Sequence, residues 1–129
     1  LYNFPKNKFV ANFIGDANVV KAEILNKQSN SYELKIAEMK IKVQSDKNFE
    51  KTVFVALRPE KILINKDKKE NSIHATVNNA SFVGSSYQYI LNSDAGKLFV
   101  ISGETNDIFK VGEEVFLSIN EEEVKILND

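Results

Sequence analysis

The stretch VFVALRPEKI, residues 53–62, aligns without gaps on VFLSINEEEV, residues 115–124. In each copy an alternating apolar segment enters a short acidic turn and leaves as a second apolar segment, which is typical of two strands joined at a corner. The two copies therefore predict an internal duplication. Four residues are expected to be buried at corresponding places of the two copies: Leu57, Ile62, Ile119 and Val124.

Alternation of apolar and polar residues continues on both sides of each copy and predicts further strands. Before the first copy it covers residues 20–24, 32–36 and 39–43, and before the second it covers residues 75–77, 87–91 and 98–100. Five strands in each half is the number found in the OB fold. The charged segment 65–72 contains no apolar residue, so it is expected to be a surface connection.

The N-terminal segment has a different period. Pro5 suits the first position of a helix and Gly15 the position just past its end, so a short helix is predicted between them. Its apolar stripe, which includes Phe9 and Phe13, would pack either on the barrel or on another domain. The predicted fold class is all-β with one short N-terminal helix and two OB-like five-stranded barrel units packed together. The predicted divisions are a linker helix (1–17), a first unit (18–64), a connection (65–72) and a second unit (73–129).

Composition excludes several kinds of site. The 129 residues include no cysteine, so neither disulfides nor thiolate metal ligands can form. His74 is the only histidine, which excludes a His-pair metal site, and it is interpreted as an ordinary strand residue. No G-x-x-x-x-G-K-[ST] loop is present, so we expect this chain to hold no cofactor and to hydrolyse no ATP.

The charge is unevenly distributed. Residues 1–64 carry a net charge of +4 and residues 65–129 a net charge of −5, which together give the overall charge of −1. This difference is typical of solvated faces, but it also favours docking of one half on the other within or between subunits.

Two short segments are candidate sites. Gly84, Ser85, Ser86 and Tyr87 combine hydroxyls and a flexible backbone with an aromatic ring, which could bind an oxyanion or a small ligand, or could simply form a bulge or hairpin turn. The second candidate is a structural turn made of Arg58, Pro59 and Glu60. Arg58 is the only arginine of the chain, and it is expected to pair with a carboxylate such as Glu60.

The second half contains more aromatic rings than one small barrel readily encloses, so some of them are expected to lie at an interface. With the two phenylalanines of the predicted helix, the candidate interface residues are Phe9, Phe13, Phe82, Tyr87, Tyr89, Phe99 and Phe116.

Three segments resemble a known family. The start of the chain, LYNFPKNKFVANFIG at residues 1–15, resembles the segment that joins the ATPase domain of bacterial ABC importers to their C-terminal domain. LRPE at residues 57–60 resembles a turn of that C-terminal domain, the transport-associated OB (TOBE) domain, and FVGSSY at residues 82–87 resembles a strand pair of its second unit. The likeness spans the chain and is greatest to spermidine/putrescine importers, with ferric-iron, sugar and sulfate importers close behind.

The resemblance implies a regulatory and dimerisation domain that follows an ATPase domain, with ATP and magnesium held in that other domain. It implies three partners: the subunit's own ATPase domain, a second copy of the subunit in a homodimer, and the membrane permease subunits. The expected location is cytoplasmic, peripheral to the inner face of the cell membrane.

Two alternatives come from other functional classes. An OB-fold nucleic-acid-binding module would use Tyr32 with Lys35, Lys40 and Lys42, yet strand alternation places the lysines on the opposite face from Tyr32, and no nucleic acid is expected as a partner. A small-ligand-binding module is the other alternative.

Overall fold

The computed structural model describes residues 17–103 and 107–127. These residues form ten strands and two single turns of 3₁₀ helix. The strands of the first half are β1 (Asn18–Gln28), β2 (Ser31–Ile36), β3 (Met39–Gln44), β4 (Thr52–Leu57) and β5 (Ile62–Asn65). Those of the second half are β6 (Ile73–Phe82), β7 (Tyr87–Ser93), β8 (Gly96–Ser102), β9 (Glu114–Ile119) and β10 (Val124–Ile126).

The strands form two antiparallel five-stranded sheets, in the orders β10-β4-β1-β2-β3 and β5-β9-β6-β7-β8. The duplication is visible in the pairing, because β1 and β6 each carry a register shift at the same place, after Ile24 and after Val77. The inward residues of both sheets make one continuous apolar core. The predicted strand count and duplication are confirmed.

The fifth strand of each half pairs in the sheet of the other half. β10 pairs with β4 through Val124 and Leu57, and β5 pairs with β9 in the equivalent register through Ile62 and Ile119. Both edges of β4 are occupied, by β1 and β10, and β5 does not pair with it as a hairpin. Each half thus contributes one strand to the sheet of the other half. The division of the chain into two units stays a prediction.

The predicted fold class is wrong in its helical part. Apart from the two 3₁₀ turns, Pro59–Lys61 and Glu121–Glu123, the described residues contain no helix, so the fold of this part of the chain is all-β. Each of these 3₁₀ turns has three residues, which is too short to present an apolar stripe. The segments on either side of them alternate apolar and polar side chains, a pattern that suits strands. The linker helix predicted within residues 1–17, with Phe9 and Phe13, falls on residues 1–16, outside the described residues.

Burial follows the duplication. Leu57, Ile62 and Val124 are buried, and Ile119 is half-buried against the same core. Both copies therefore contribute equivalent residues to the interior, as the alignment of residues 53–62 on 115–124 predicts.

Asparagine side chains tie the two halves together at the sheet edges. Asn18, at the start of β1, donates to Phe99 O at 2.8 Å and accepts from Phe99 N at 2.8 Å, so it satisfies the backbone of edge strand β8. Asn71, just before β6, does the same for Lys40 on edge strand β3, with distances of 2.6 and 2.8 Å. Glu121 adds a third bond to that edge by accepting from Lys42 N. These contacts occupy edge groups that could otherwise recruit another strand.

Candidate interaction surface

The β6–β7 hairpin is an uncharged part of the chain with an apolar tip. Residues 75–93 include no Asp, Glu, Lys or Arg, although 27% of the whole chain is charged. At its tip Phe82 is 54% exposed and Val83 is 46% exposed. Depletion of charge together with exposed aromatic surface is the compositional signature of the centre of a protein–protein interface.

The exposed tip is connected to the core by a row of ring contacts. The ring centroid of Phe82 lies 4.9 Å from that of Tyr87, which lies 6.0 Å from that of the fully buried Tyr89. Tyr89 packs in turn against Phe109 at 5.9 Å. Because the row of rings ends in the core, the position of Phe82 is set by the fold rather than by the loop alone.

The predicted ligand loop is the turn of this hairpin. Val83 N donates to Ser86 O at 2.8 Å, Ser85 N donates to Val83 O at 3.0 Å, and Gly84 has a φ of 81°, which favours glycine. These two amides are used within the turn and do not point together at a bound anion. The geometry is that of a tight hairpin turn, and ligand binding by Gly84, Ser85, Ser86 and Tyr87 stays a prediction.

The candidate interface aromatics do not form one patch. Phe82 and Tyr87 lie together at the hairpin tip, whereas Tyr89 is fully buried. Phe99 is half-buried on β8, and Phe116 is half-buried beside His74 with ring centroids 5.5 Å apart. Among the described residues, the ring contacts of the hairpin do not extend to Phe99 or Phe116.

The structural turn has the expected pairing. Arg58 Nη1 lies 3.7 Å from Glu60 Oε2, and both side chains are at least half exposed, so the pair contributes little to stability. Asn120 is the N-cap of the equivalent second turn, and its Oδ1 accepts a hydrogen bond from Glu122 N at 3.0 Å. The two corners therefore have the same shape but different stabilising groups.

The candidate residues for nucleic-acid or metal binding have structural roles instead. Tyr32 is fully buried and is not available to stack on a base. His74 Nε2 lies 2.6 Å from Glu114 Oε2 in a surface contact. Within residues 17–103 and 107–127, no three His, Asp or Glu side chains come together as a metal site, and no helix there is long and apolar enough to cross a membrane.

A family model for the TOBE domain matches residues 55–127. The chain belongs to the TOBE domain family. The curated relatives that it matches are named as ATP-binding proteins of importers. The Fe(3+) ions import ATP-binding protein FbpC of Fusobacterium nucleatum is 27% identical over 100% of this chain and 35% of its own length.

A relative named for spermidine/putrescine import is about as similar to this TOBE domain as FbpC is. The import ATP-binding protein PotA of Clostridioides difficile is 31% identical over 98% of this chain and 35% of its own length. The chain thus spans about a third of the length of the curated relatives it matches.

A solved structure has the same fold as this TOBE domain. It is the cytoplasmic molybdate-binding protein ModG with molybdate bound, with a TM-score of 0.69 and 14% identity, covering 88% of this chain and 97% of that chain. At this identity the likeness concerns the fold alone.

Sequence reasoning missed Asn18 and Asn71 as contacts between the halves. The available signal was an asparagine just before or at the start of the first strand of each half. The partners themselves, Phe99 and Lys40, lie far away in sequence and are visible only in the fold.

Proposed function

We propose that this TOBE domain is the regulatory and dimerisation domain of the ATP-binding subunit of an ABC importer, and that two copies associate through the β6–β7 hairpin. The observation that carries the proposal is the exposure of Phe82 and Val83 at the tip of a hairpin without charges. A homodimer about a two-fold axis would bring each tip against the same neighbourhood of its partner. Removal of the exposed phenylalanine from water would then stabilise the pair.

In the parent subunit the domain acts beside an ATPase domain, which binds ATP and magnesium, and the whole subunit works at the cytoplasmic face of the membrane with permease subunits. Relatives that are importer ATP-binding proteins support this assignment. A modest contact between TOBE domains is sufficient there, since other contacts between the subunits raise the effective concentration of the two surfaces.

Sedimentation velocity of the chain over a wide concentration range tests the dimer. Phe82→Ser should weaken self-association by at least about tenfold, because an exposed aromatic at the centre of an interface is a typical hot spot. Leu63→Ser is the matched control, since Leu63 is 61% exposed on β5, away from the hairpin. Equal weakening by both substitutions, or a strict monomer in both the chain and the nucleotide-free parent subunit, would contradict the proposal.

We further propose that the transported solute is a polyamine, spermidine or putrescine. Its support is the resemblance of residues 1–15 and 82–87 and the PotA relative at 31% identity, while an FbpC relative at 27% makes ferric iron the rival solute. Uptake of labelled putrescine and of labelled ferric iron by cells with and without the parent gene separates them. Loss of iron uptake alone would overturn the polyamine assignment and leave the dimer proposal untouched.

A further inference from the structure

Because the two halves are duplicates, each has an equivalent position on its outer surface. The residues around these two positions differ in charge. In the first half Glu23 on β1 pairs with Lys35 on β2 and with Thr52 on β4. In the second half Thr76 on β6 pairs in the same way with Asn92 and Glu114. Around the first position the lysines are Lys21, Lys35 and Lys51, and the residues that replace them around the second are His74, Asn92 and Glu113.

The equivalence extends to the backbone. Ile24 N donates to Lys51 O at 2.8 Å in the first half, and Val77 N donates to Glu113 O at 2.9 Å in the second. The same framework therefore supports a basic surface in one half and a neutral to acidic one in the other. The backbone alone does not require lysine at these positions.

The basic position is concave. An open groove of about 590 Å³ is lined by the three lysines together with Ala22, Glu23, Ile24, Ala37 and Thr52. Its floor is partly apolar, and Lys35 is half-buried, so an ion in the groove would be less hydrated than one on a flat surface.

The three lysines have no counterion within residues 17–103 and 107–127. Among the described residues, no carboxylate lies within 4.0 Å of the ammonium group of Lys21, Lys35 or Lys51, although Glu23 lines the same groove. The groove therefore keeps a net positive charge that is open to solvent. Such a concave positive surface concentrates anions.

We propose that the groove formed by Lys21, Lys35 and Lys51 binds a small multivalent anion that carries phosphate or carboxylate groups. Multivalency follows from three cations around one cavity, each of which can contact a different oxygen of the ligand. Smallness follows from Glu23 and Glu33 on the outer face, which interrupt the basic surface. An extended polyanion such as single-stranded nucleic acid would meet these carboxylates along its path.

The test is a heteronuclear NMR titration of the 129-residue chain with pyrophosphate and, in a second arm, with citrate, at constant ionic strength. Amides of Ala22, Ala37 and Thr52 should shift on titration. Their equivalents Ala75, Asp94 and Glu114 should not, which provides an internal control on the same framework. Stronger binding of pyrophosphate than of citrate identifies a phosphate ligand, and the reverse order identifies a carboxylate ligand.

Two variants separate a local site from a general effect of charge. K21Q/K35Q/K51Q should weaken binding by about tenfold or more, whereas K66Q/K68Q/K69Q removes the same charge from the connection and should leave binding within about twofold. Glu23→Gln should tighten binding, because it removes a like charge from the groove, and a purely structural role of the lysines would not produce that change.

Three results would overturn the proposal. The first is the absence of groove shifts up to about 10 mM anion, a concentration that corresponds to negligible affinity. The second is equal loss of binding in the two triple variants while both keep dispersed spectra. The third is an oligonucleotide that binds more tightly than pyrophosphate and shifts amides well beyond the groove.

Discussion

Tyr32 and Tyr89 occupy equivalent positions in the two halves and make the same contact. The hydroxyl oxygen of Tyr32 accepts a hydrogen bond from Phe49 N at 3.0 Å, and that of Tyr89 accepts one from Phe109 N at 3.2 Å. In both cases the tyrosine ring meets the phenylalanine ring edge to face, with centroids 5.7 and 5.9 Å apart. Each pair fastens the segment that follows the third strand of its half to the core.

Removal of either buried hydroxyl should destabilise the fold. Tyr89→Phe leaves the amide of Phe109 without its partner, and Tyr32→Phe does the same to Phe49, so each should lower the free energy of unfolding by about 1–2 kcal/mol. Urea denaturation measures the change. Tyr87→Phe is the control, since Tyr87 is only half-buried, and it should stay within about 0.5 kcal/mol. A loss for Tyr87→Phe as large as for Tyr89→Phe would mean that the hydroxyl contact is not the cause.

Asn18 should matter more than its counterpart Asn71. Asn18 is 2% exposed and hydrogen-bonds both Leu57 O and the backbone of Phe99, so Asn18→Ala should lower the free energy of unfolding by about 2–3 kcal/mol. Asn71 is exposed, and Asn71→Ala should lower it by about 0.5–1 kcal/mol. Chemical denaturation of both variants gives the comparison. Equal effects would contradict the role of burial.

Gly96 should resist substitution because of its backbone conformation. It has a φ of 106° in the β7–β8 turn, which an L side chain rarely adopts, and Gly96→Ala should lower the free energy of unfolding by about 1–3 kcal/mol. Gly103 has open space around it and no positive φ, so Gly103→Ala should be nearly neutral. Thermal unfolding of the two variants tests the difference. A neutral Gly96→Ala would show that the turn can change its conformation at no cost.

The exchange of β5 and β10 predicts that neither half folds alone. Peptides cut in the exposed connection 65–72 should each lack a cooperative unfolding transition, since the first loses β10 from its sheet and the second loses β5. Mixed in equal amounts, they should recover β structure by circular dichroism. A stable isolated first half would contradict this coupling and support two independent units.

Local patterns in the sequence sufficed to predict much of this protein. The alternation of apolar residues placed the ten strands, and the match between residues 53–62 and 115–124 predicted the duplication. The acidic segment that follows the first apolar stretch of each copy predicted a turn there, and in the second copy the structure has a 3₁₀ turn at Glu121–Glu123. These features depend on side chains a few residues apart, which act through backbone propensity and the burial of one face.

Contacts between distant parts of the chain were decided only by the tertiary structure. The sequence does not indicate that β5 pairs with β9, or that β1 and β10 occupy both edges of β4. It offered Tyr89 as an interface residue, and packing against Phe109 places that ring in the core. The basic groove likewise needs β1, β2 and β4 side by side before Lys21, Lys35 and Lys51 share one cavity. Strand pairing is a long-range choice governed by which edges remain free, and local periodicity carries no information about that choice.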